Sequence, residues 1–382
     1  MKKFTKFIIL LFFISIVGLQ KISAEEIKIG LLVPLSGKNS MIGKSIIKSI
    51  RIAINKINNP SIEIIPKDTK SNPEITLREA KKLKNQGIKI IIGPVFNENL
   101  IYLDELDGVI FLSLTNKSID NPKNIISAGI NATSQLNTIS KFQQMNNLKK
   151  TIFLIPKENY KEEIEKAIKK SKIKSRNVYY YDSDPTKLTK QIENITKYPQ
   201  RKQNLKDEIL RLENSDDVNK ERKIEKLKKK DTIGKINFDS ILIADFDETL
   251  KSITTSLLYT DVSPKEVYYI TLNQWFDESL LKETSSQPIY FPSINKENYI
   301  NFKKNYYEKF NEYPNQLSFL SYDLIGLIYY LISKNNFIID EKIFLKKNKF
   351  KGKVGIFQIQ DNKINHILNF YKVENSNFKK IF

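Results

Sequence analysis

The chain has 382 residues, no cysteine, a single histidine and a formal net charge of +20. The length exceeds what one hydrophobic core usually organises, so two domains are expected, and without cysteine there is no disulfide, no thiol nucleophile and no lipidated N-terminal cysteine. Charge of this sign can serve nucleic acid, an anionic envelope surface or an acidic partner, or it reflects composition alone, since Lys, Asn and Ile recur along the whole chain.

The first segment, "MKKFTKFIILLFFISIVGLQKISAEE", carries Lys2, Lys3 and Lys6, an apolar run over residues 7–19, and Ser23-Ala24 before Glu25. That is the form of a secretory signal peptide, and the run is short for a spanning helix. Residues 1–24 are expected to be cleaved near Ala24, with an uncleaved membrane anchor as the alternative because Gln20-Lys21 lie close to the site. Removal takes four lysines and no acid, leaving +16. An exported chain seldom meets nucleic acid, so the basic charge points to the envelope. No later segment approaches the length of a membrane span.

The mature chain then alternates. Residues 27–33 read as a buried strand and "PLSGKNSMIG" as a turn-rich loop. Ile46, Ile47, Ile50, Ala53, Ile54 and Ile57 recur at helical spacing. "SIEIIPKDT" is a second strand, "PEITLREAKKLKNQG" a helix stopped by Gly87, "IKIIIGPV" a third strand and "GVIFLSLT" a fourth. Strands alternating with amphipathic helices imply a parallel sheet covered on both faces. The pattern restarts near Lys149 with "KKTIFLIPKENY", "KEEIEKAIKKSK", "NVYYYD", "FDSILIAD" and "EVYYITLNQW". "QPIYFPS" interrupts this second unit. Two helices follow, the second, "LSFLSYDLIGLIYYLIS", strongly apolar, and the end reads as two strands about an Asp-Asn-Lys turn. Residues 200–230 are dense in charge of both signs, with Leu205, Ile209 and Leu212 in one narrow stripe and Ile224 and Leu227 in another. A charged helical hairpin projecting from the second unit is expected, either a docking element or a solvated extension.

Asp245, Asp247 and Thr249 in "SILIADFDETL" take the form of the Asp-x-Asp-x-Thr signature of haloacid-dehalogenase-type phosphatases. Such an enzyme also needs a basic residue on the phosphate and a late acidic pair on Mg²⁺. Thr271 can pass as a second motif, but no Gly-Asp-x-x-x-Asp-like cluster follows a suitable Lys, and the motif falls in the middle of the second unit. Catalysis is not expected. His366 has no metal-ligand spacing and reads as a surface or edge residue, and no cofactor loop of the Gly-x-x-x-x-Gly-Lys kind is present.

"IKIGLLVPLSGKNSMIGKSIIKSIRIAINKIN", "IIIGPV", "IFLSLTNKS", "KKTIFLIPKENY", "FDSILIAD", "LSYDLIGLIYYL" and "FKGKVGIFQI" stand in an order that resembles type I periplasmic solute-binding proteins, the leucine/isoleucine/valine-binding kind above all. The charged hairpin looks like a branch of penicillin-binding-protein activators. The resemblance implies an α/β fold of two Rossmann-like lobes joined by three crossovers, placed near residues 148, 289 and 351. Lobe I is then 25–148 plus 290–350, and lobe II is 149–289 plus 351–382 with the 200–230 insertion. It also implies a ligand at the carboxyl ends of the strands, where helix N-termini offer free N–H groups.

The family's ligand positions fall on Met41 and Ile42 at the rim and on Asn97, where a Ser usually holds a carboxylate. They continue with Thr115 and Lys117, and with Tyr160, followed by Lys161 in place of a Gly. Phe246 falls near a family Tyr, and Asn273 near the acid that pairs with an α-ammonium. Losing that acid removes a charge-assisted bond of about 1.5–3 kcal/mol, roughly 10- to 100-fold in affinity. Asp245 or Asp247 can substitute from a neighbouring strand end, and Trp275 either stacks on a ligand or fills the lobe interface. The implied partners are a small polar solute with the permease of an ABC importer, or else a peptidoglycan synthase.

Overall fold

The computed structural model describes residues 26–118, 121–158, 160–344, 346 and 348–382, and the expected signal segment lies outside them. The chain opens β1 (Ile27–Val33), α1 (Ser40–Ile57), β2 (Ile62–Asp68), α2 (Pro73–Asn85), β3 (Ile90–Ile92), β4 (Ile110–Ser113) and β5 (Ile125–Ser127). These five strands pair in parallel in the order β5-β4-β3-β1-β2. Next come α3 (Ala132–Met145), β6 (Thr151–Pro156), α4 (Lys161–Lys170), β7 (Asn177–Tyr181), α5 (Pro185–Thr196), α6 (Tyr198–Glu213), α7 (Lys220–Lys228), β8 (Ser240–Ile243), α8 (Asp247–Tyr259), β9 (Tyr268–Thr271) and β10 (Ile289–Ser293). These strands form a second parallel run, β10-β9-β8-β6-β7. The chain ends α9 (Lys296–Phe310), α10 (Gln316–Lys334), β11 (Asn348–Lys351), β12 (Ile356–Gln360), β13 (Lys363–Ile367), β14 (Asn369–Glu374) and β15 (Asn377–Lys380). The last five strands divide between the sheets: β13 joins β5 in parallel and carries β12 and β11 antiparallel beyond it, while β14 pairs antiparallel with β10 and β15 with β14.

Each lobe therefore has a sheet between helices. In the first, the apolar stripe of α1 (Ile46, Ile50, Ala53) packs with Leu324, Ile325 and Ile328 of α10 on the sheet. Each Ile or Leu buried this way contributes about 1.5–3 kcal/mol. Polar closures hold the seam, with Ser49 Oγ donating to the Ser318 carbonyl at 2.6 Å. Asn side chains start several helices: Asn131, Asn295 and Asn315 each accept a backbone N–H from the first turn of α3, α9 and α10. The apolar α10 does reach membrane-span dimensions, at 19 residues and a mean hydropathy of 1.2, contrary to expectation. Its Phe319, Leu324, Ile328 and Ile332 are nevertheless buried in the first lobe's core.

The crossings differ from the expected positions. β5 belongs to the first sheet, while Ala132, Leu136, Ile139 and Phe142 of α3 pack into the second lobe's core. The first crossing is thus at 128–131, not 148: the second unit opens with a helix, and the expectation was set at the strand after it. β10 stays in the second sheet through Ser293, whereas Ile294 packs in the first lobe, so the crossing expected at 289 falls at 293–294. β11, β12 and β13 belong to the first sheet and β14 to the second, so the crossing expected at 351 falls at Leu368. The tail has four strands beyond β11, not two. The charged hairpin is present as α6 and α7, preceded by a helix, α5, that the sequence reading did not separate.

Candidate functional site

The carboxyl ends of strands from both lobes meet around a cleft of about 590 Å³. From the first lobe come Val95 to Glu98 after β3, Leu114 to Lys117 after β4, and Gln316, Leu317 and Leu320 at the start of α10. The second lobe supplies Phe246 and Asp247 after β8, and Asn273, Gln274, Trp275 and Asp277 after β9. Gly129 and Ile130 of the first crossing, with Gln135 of α3, form the floor.

In the first lobe the loops are tied to one another. Ser113 Oγ donates to the Pro94 carbonyl at 2.7 Å, and the Lys117 carbonyl accepts from Ser127 Oγ at 2.8 Å. Gly129 N–H donates to the Thr115 carbonyl at 3.0 Å, so close that a Cβ on Gly129 would sit 2.5 Å from that oxygen. Thr115 Oγ1 accepts the Lys117 N–H at 3.1 Å, which leaves its O–H to donate into the cleft. Asn97 also lines the cleft, with its Oδ1 buried and unbonded among the described residues.

In the second lobe the decisive residue is Asn273. Its Oδ1 accepts from Ser293 Oγ at 2.7 Å and from the Trp275 N–H at 3.1 Å, and its N–H donates to Gln135 Oε1 at 2.8 Å. The acceptor of the Asn273 amide is committed inward, and the polar group left for the cleft is its NH₂, a donor. A ligand ammonium finds no partner there. Gln135 is equally occupied, since its Nε2 donates to the Ile130 and Asn131 carbonyls of the first crossing at 3.1 and 3.4 Å. It acts as a brace between that crossing and β9. Trp275 and Phe276 both hold positive φ, +48° and +58°, where bulky side chains rarely sit. Both rings lie 6.2 Å from the ring of Tyr299 in the first lobe. Phe276 packs edge-on against Tyr371 and Phe378 of the second lobe, while Trp275 lines the cleft and packs on the first lobe's core.

The two acids at the end of β8 separate. Asp245 does not line the cleft. Its carboxylate is hydrogen-bonded by the Tyr181 hydroxyl and by the Phe246 N–H at 2.9 Å. Burial pushes its pKa up, against the opposing pull of those two donors. The residue in the nucleophile position of the phosphatase-like motif is thus a half-buried strap. Asp247, in the first turn of α8, lines the cleft and is exposed, with no ion-pair or hydrogen-bond partner on its carboxylate among the described residues. Asp277 also lines it, but its oxygens accept from Ser279 N and Oγ at 2.9 and 2.7 Å.

Of the residues singled out in the sequence, Asn97, Thr115, Lys117, Phe246 and Asn273 come together at the cleft. Four stand apart. Met41 is 64% exposed, Ile42 packs on the first lobe's core, Tyr160 packs in the second lobe's core beside α3, and Asp245 is held as described. Gln135, Glu98 and Gln316 were not foreseen. Gln135 was missed because the first crossing was expected near 148, which assigns residue 135 to the interior of the first lobe rather than to the hinge. His366, expected at the surface, is buried against Phe357, and burial lowers its pKa to about 4.

Two lobes with parallel-type sheets, three crossings and a cleft at the strand ends define the architecture. The fold is that of the type I periplasmic binding proteins. A family model described as "Periplasmic binding protein" matches residues 26–194. Among solved structures, the C-domain of LpoA (YraM) from Haemophilus influenzae, a regulator of PBP1A, is similar with a TM-score of 0.62 and 14% identity, covering 93% of this chain and 100% of that one. LivJ from Streptococcus pneumoniae, in complex with isoleucine, gives 0.55 and 16% over 93% and 98%. The leucine-binding protein LivK from Thermotoga maritima gives 0.56 and 15% over 93% and 98%. No curated protein matches the sequence. The type I binding fold is thus shared with both solute-binding proteins and a regulator of PBP1A.

Proposed function

We propose that this chain is a non-catalytic binding protein of the periplasm, exported by residues 1–24, whose cleft captures a small polar solute bearing an amine, an amino acid or a close relative, for the permease of an ABC importer. The observation that carries this reading is the division of labour at the cleft. Thr115 O–H, Asn97 and Lys117 offer donors to a carboxylate from the first lobe. Asp247, without a partner of its own, takes the ammonium in place of the acid missing at 273. Hinge closure at the three crossings would shut the ligand from water. A thermal-shift screen against amino acids and small amines tests it. A ligand at 100 times its dissociation constant adds about 2.7 kcal/mol to stability, and no shift with any of them would sink the importer reading.

One observation favours a second reading, that of an envelope regulator docking on a peptidoglycan synthase. α6 is bolted to the second lobe: Arg201 donates to the Thr260 carbonyl at 3.0 Å, to Thr232 Oγ1 at 2.7 Å and to the Asp261 carbonyl at 3.0 Å. α7, which it carries, buries no residue. Reversing Arg222, Lys226 and Lys228 to Glu touches only exposed positions and is expected to change stability by no more than about 0.5 kcal/mol. If α7 is a docking element, the same triple variant fails to pull a synthase from solubilised envelopes. Retention of the synthase removes the main support for this reading.

A further inference from the structure

A second groove, of about 690 Å³, lies between α3 and the β12–β13 hairpin. It is separate from the cleft, because α3 presents Asn137 and Lys141 to the groove and Gln135, on another face, to the cleft. Its walls come from both lobes, stitched beside it by Asn131 Nδ2 donating to the Ile364 carbonyl at 2.8 Å and by His366 N–H donating to Ser134 Oγ at 2.9 Å.

Three lysines converge here: Lys141 of α3, Lys170 at the end of α4 and Lys363 of β13. Lys363 is only 7% exposed, and its amine has no hydrogen bond and no ion pair among the described residues. Burial lowers its pKa and the nearby charge of Lys170 lowers it further, against the opposing pull of the Asp361 and Glu163 carboxylates, neither of which bonds it directly. A buried ammonium without a hydrogen-bonded partner is costly. Among the described residues Lys141 and Lys170 have no carboxylate within ion-pair distance either, Lys141 resting 4.0 Å from the centre of the Phe382 ring. Asp361 is the one acidic side chain among the described residues lining the groove. His366, 7% exposed, lines the groove too, with Nδ1 buried and unbonded. Among the described residues lining the groove, three amines face one carboxylate, with amides of Asn137 and Asn365 beside them.

We propose that this groove binds a phosphate-class dianion, free or as the headgroup of an anionic lipid, held by Lys141, Lys170 and Lys363. Lysines act on phosphate as point charges, and a dianion balances the positive lining and supplies the hydrogen-bonded partner that Lys363 lacks among the described residues. The inference does not rest on the solute reading of the cleft. The test is titration calorimetry of the purified protein with inorganic phosphate at fixed ionic strength, with chloride as the control. Saturable binding of phosphate and not chloride is expected, weakened about tenfold or more by Lys363→Gln and by Lys170→Gln. Lys170 sits on an exposed helix end, so its variant remains informative if Lys363→Gln misfolds. Asp247→Asn, in the cleft, leaves phosphate binding unchanged. Vesicles containing phosphatidic acid, whose phosphomonoester headgroup can carry two charges, compared with phosphatidylcholine alone, separate the two sources: retention on the former that free phosphate competes away assigns the headgroup, and phosphate binding without retention assigns the free ion. Absence of phosphate binding, or affinity unaltered in both lysine variants, overturns the proposal.

Discussion

Replacing Asp323 with Ala is expected to cost about 3 kcal/mol of stability at pH 7, measured by urea denaturation. Asp323 lies in α10, 8% exposed. Its carboxylate accepts the Lys353 N–H at 2.8 Å and the Val354 N–H at 2.7 Å, holding the turn between β11 and β12 against the helix. Removing it leaves the buried Val354 N–H and the part-buried Lys353 N–H without their acceptor, at about 1–3 kcal/mol for a fully buried donor before relaxation. The fit is tight: a Cβ on Gly352 would lie 2.1 Å from Asp323 Oδ2, so Gly352→Ala should destabilise through the same contact.

Asp323 also makes a pH prediction. Burial raises its pKa from 3.8 to about 6, against the pull of the two N–H donors. A raised folded pKa contributes stability that is fully present below about 3.8 and is lost as pH rises through 6. His366, lowered from 6.5 to about 4 by burial, does the reverse: its contribution is present above 6.5 and lost as pH falls through 4. Each amounts to roughly two powers of ten in proton affinity, about 3 kcal/mol at 1.36 kcal/mol per power. The two groups line one small cavity between α10 and β13, and their pH dependences oppose each other across the same window. His366→Gln is therefore expected to gain stability relative to the wild type as pH falls from 6.5 to 4. Parallel stability curves would show that His366 is not buried in its neutral form.

Asp247→Asn is expected to weaken the cleft ligand 10- to 100-fold, the value of one charge-assisted bond to an ammonium, with little change in stability because Asp247 is exposed and makes no internal bond. Asp245→Asn should show the opposite pattern: it disturbs the bonds from Tyr181 and the Phe246 N–H, lowering stability and altering affinity only through the position of the loop. The converse substitution, Asn273→Asp, would not simply restore a binding acid, because Ser293 Oγ and the Trp275 N–H already hold the side-chain oxygen of residue 273.

The pairing of strand and helix was legible wherever local pattern decides it. β1, α1 and β2 fall where the apolar spacing put them, because a parallel strand buried on both faces and a one-sided helix leave distinct periods. The crossings were not legible, since α3 and β13 carry the same apolar pattern whichever lobe they cover; only strand pairing assigns them. The cleft residues Asn97, Thr115, Lys117, Phe246 and Asn273 followed from strand ends, which the sequence marks. The choice between Asp245 and Asp247 did not. It depends on Tyr181, 64 residues away in sequence from Asp245, and on which side of the strand end each carboxylate faces. His366 was misjudged for a similar reason. A polar residue in a hairpin reads as exposed, and here α3 covers that hairpin from the other lobe.

The most direct test of the central claim is calorimetric titration of the purified protein and its Asp247→Asn variant with the amino acid or amine that gives the largest thermal shift. Saturable one-to-one binding to the wild type, weakened at least tenfold in the variant, is the predicted result. Equal affinity in the two proteins would contradict the assignment of Asp247 to the ligand's ammonium, and no binding by the wild type would contradict the cleft as a solute site.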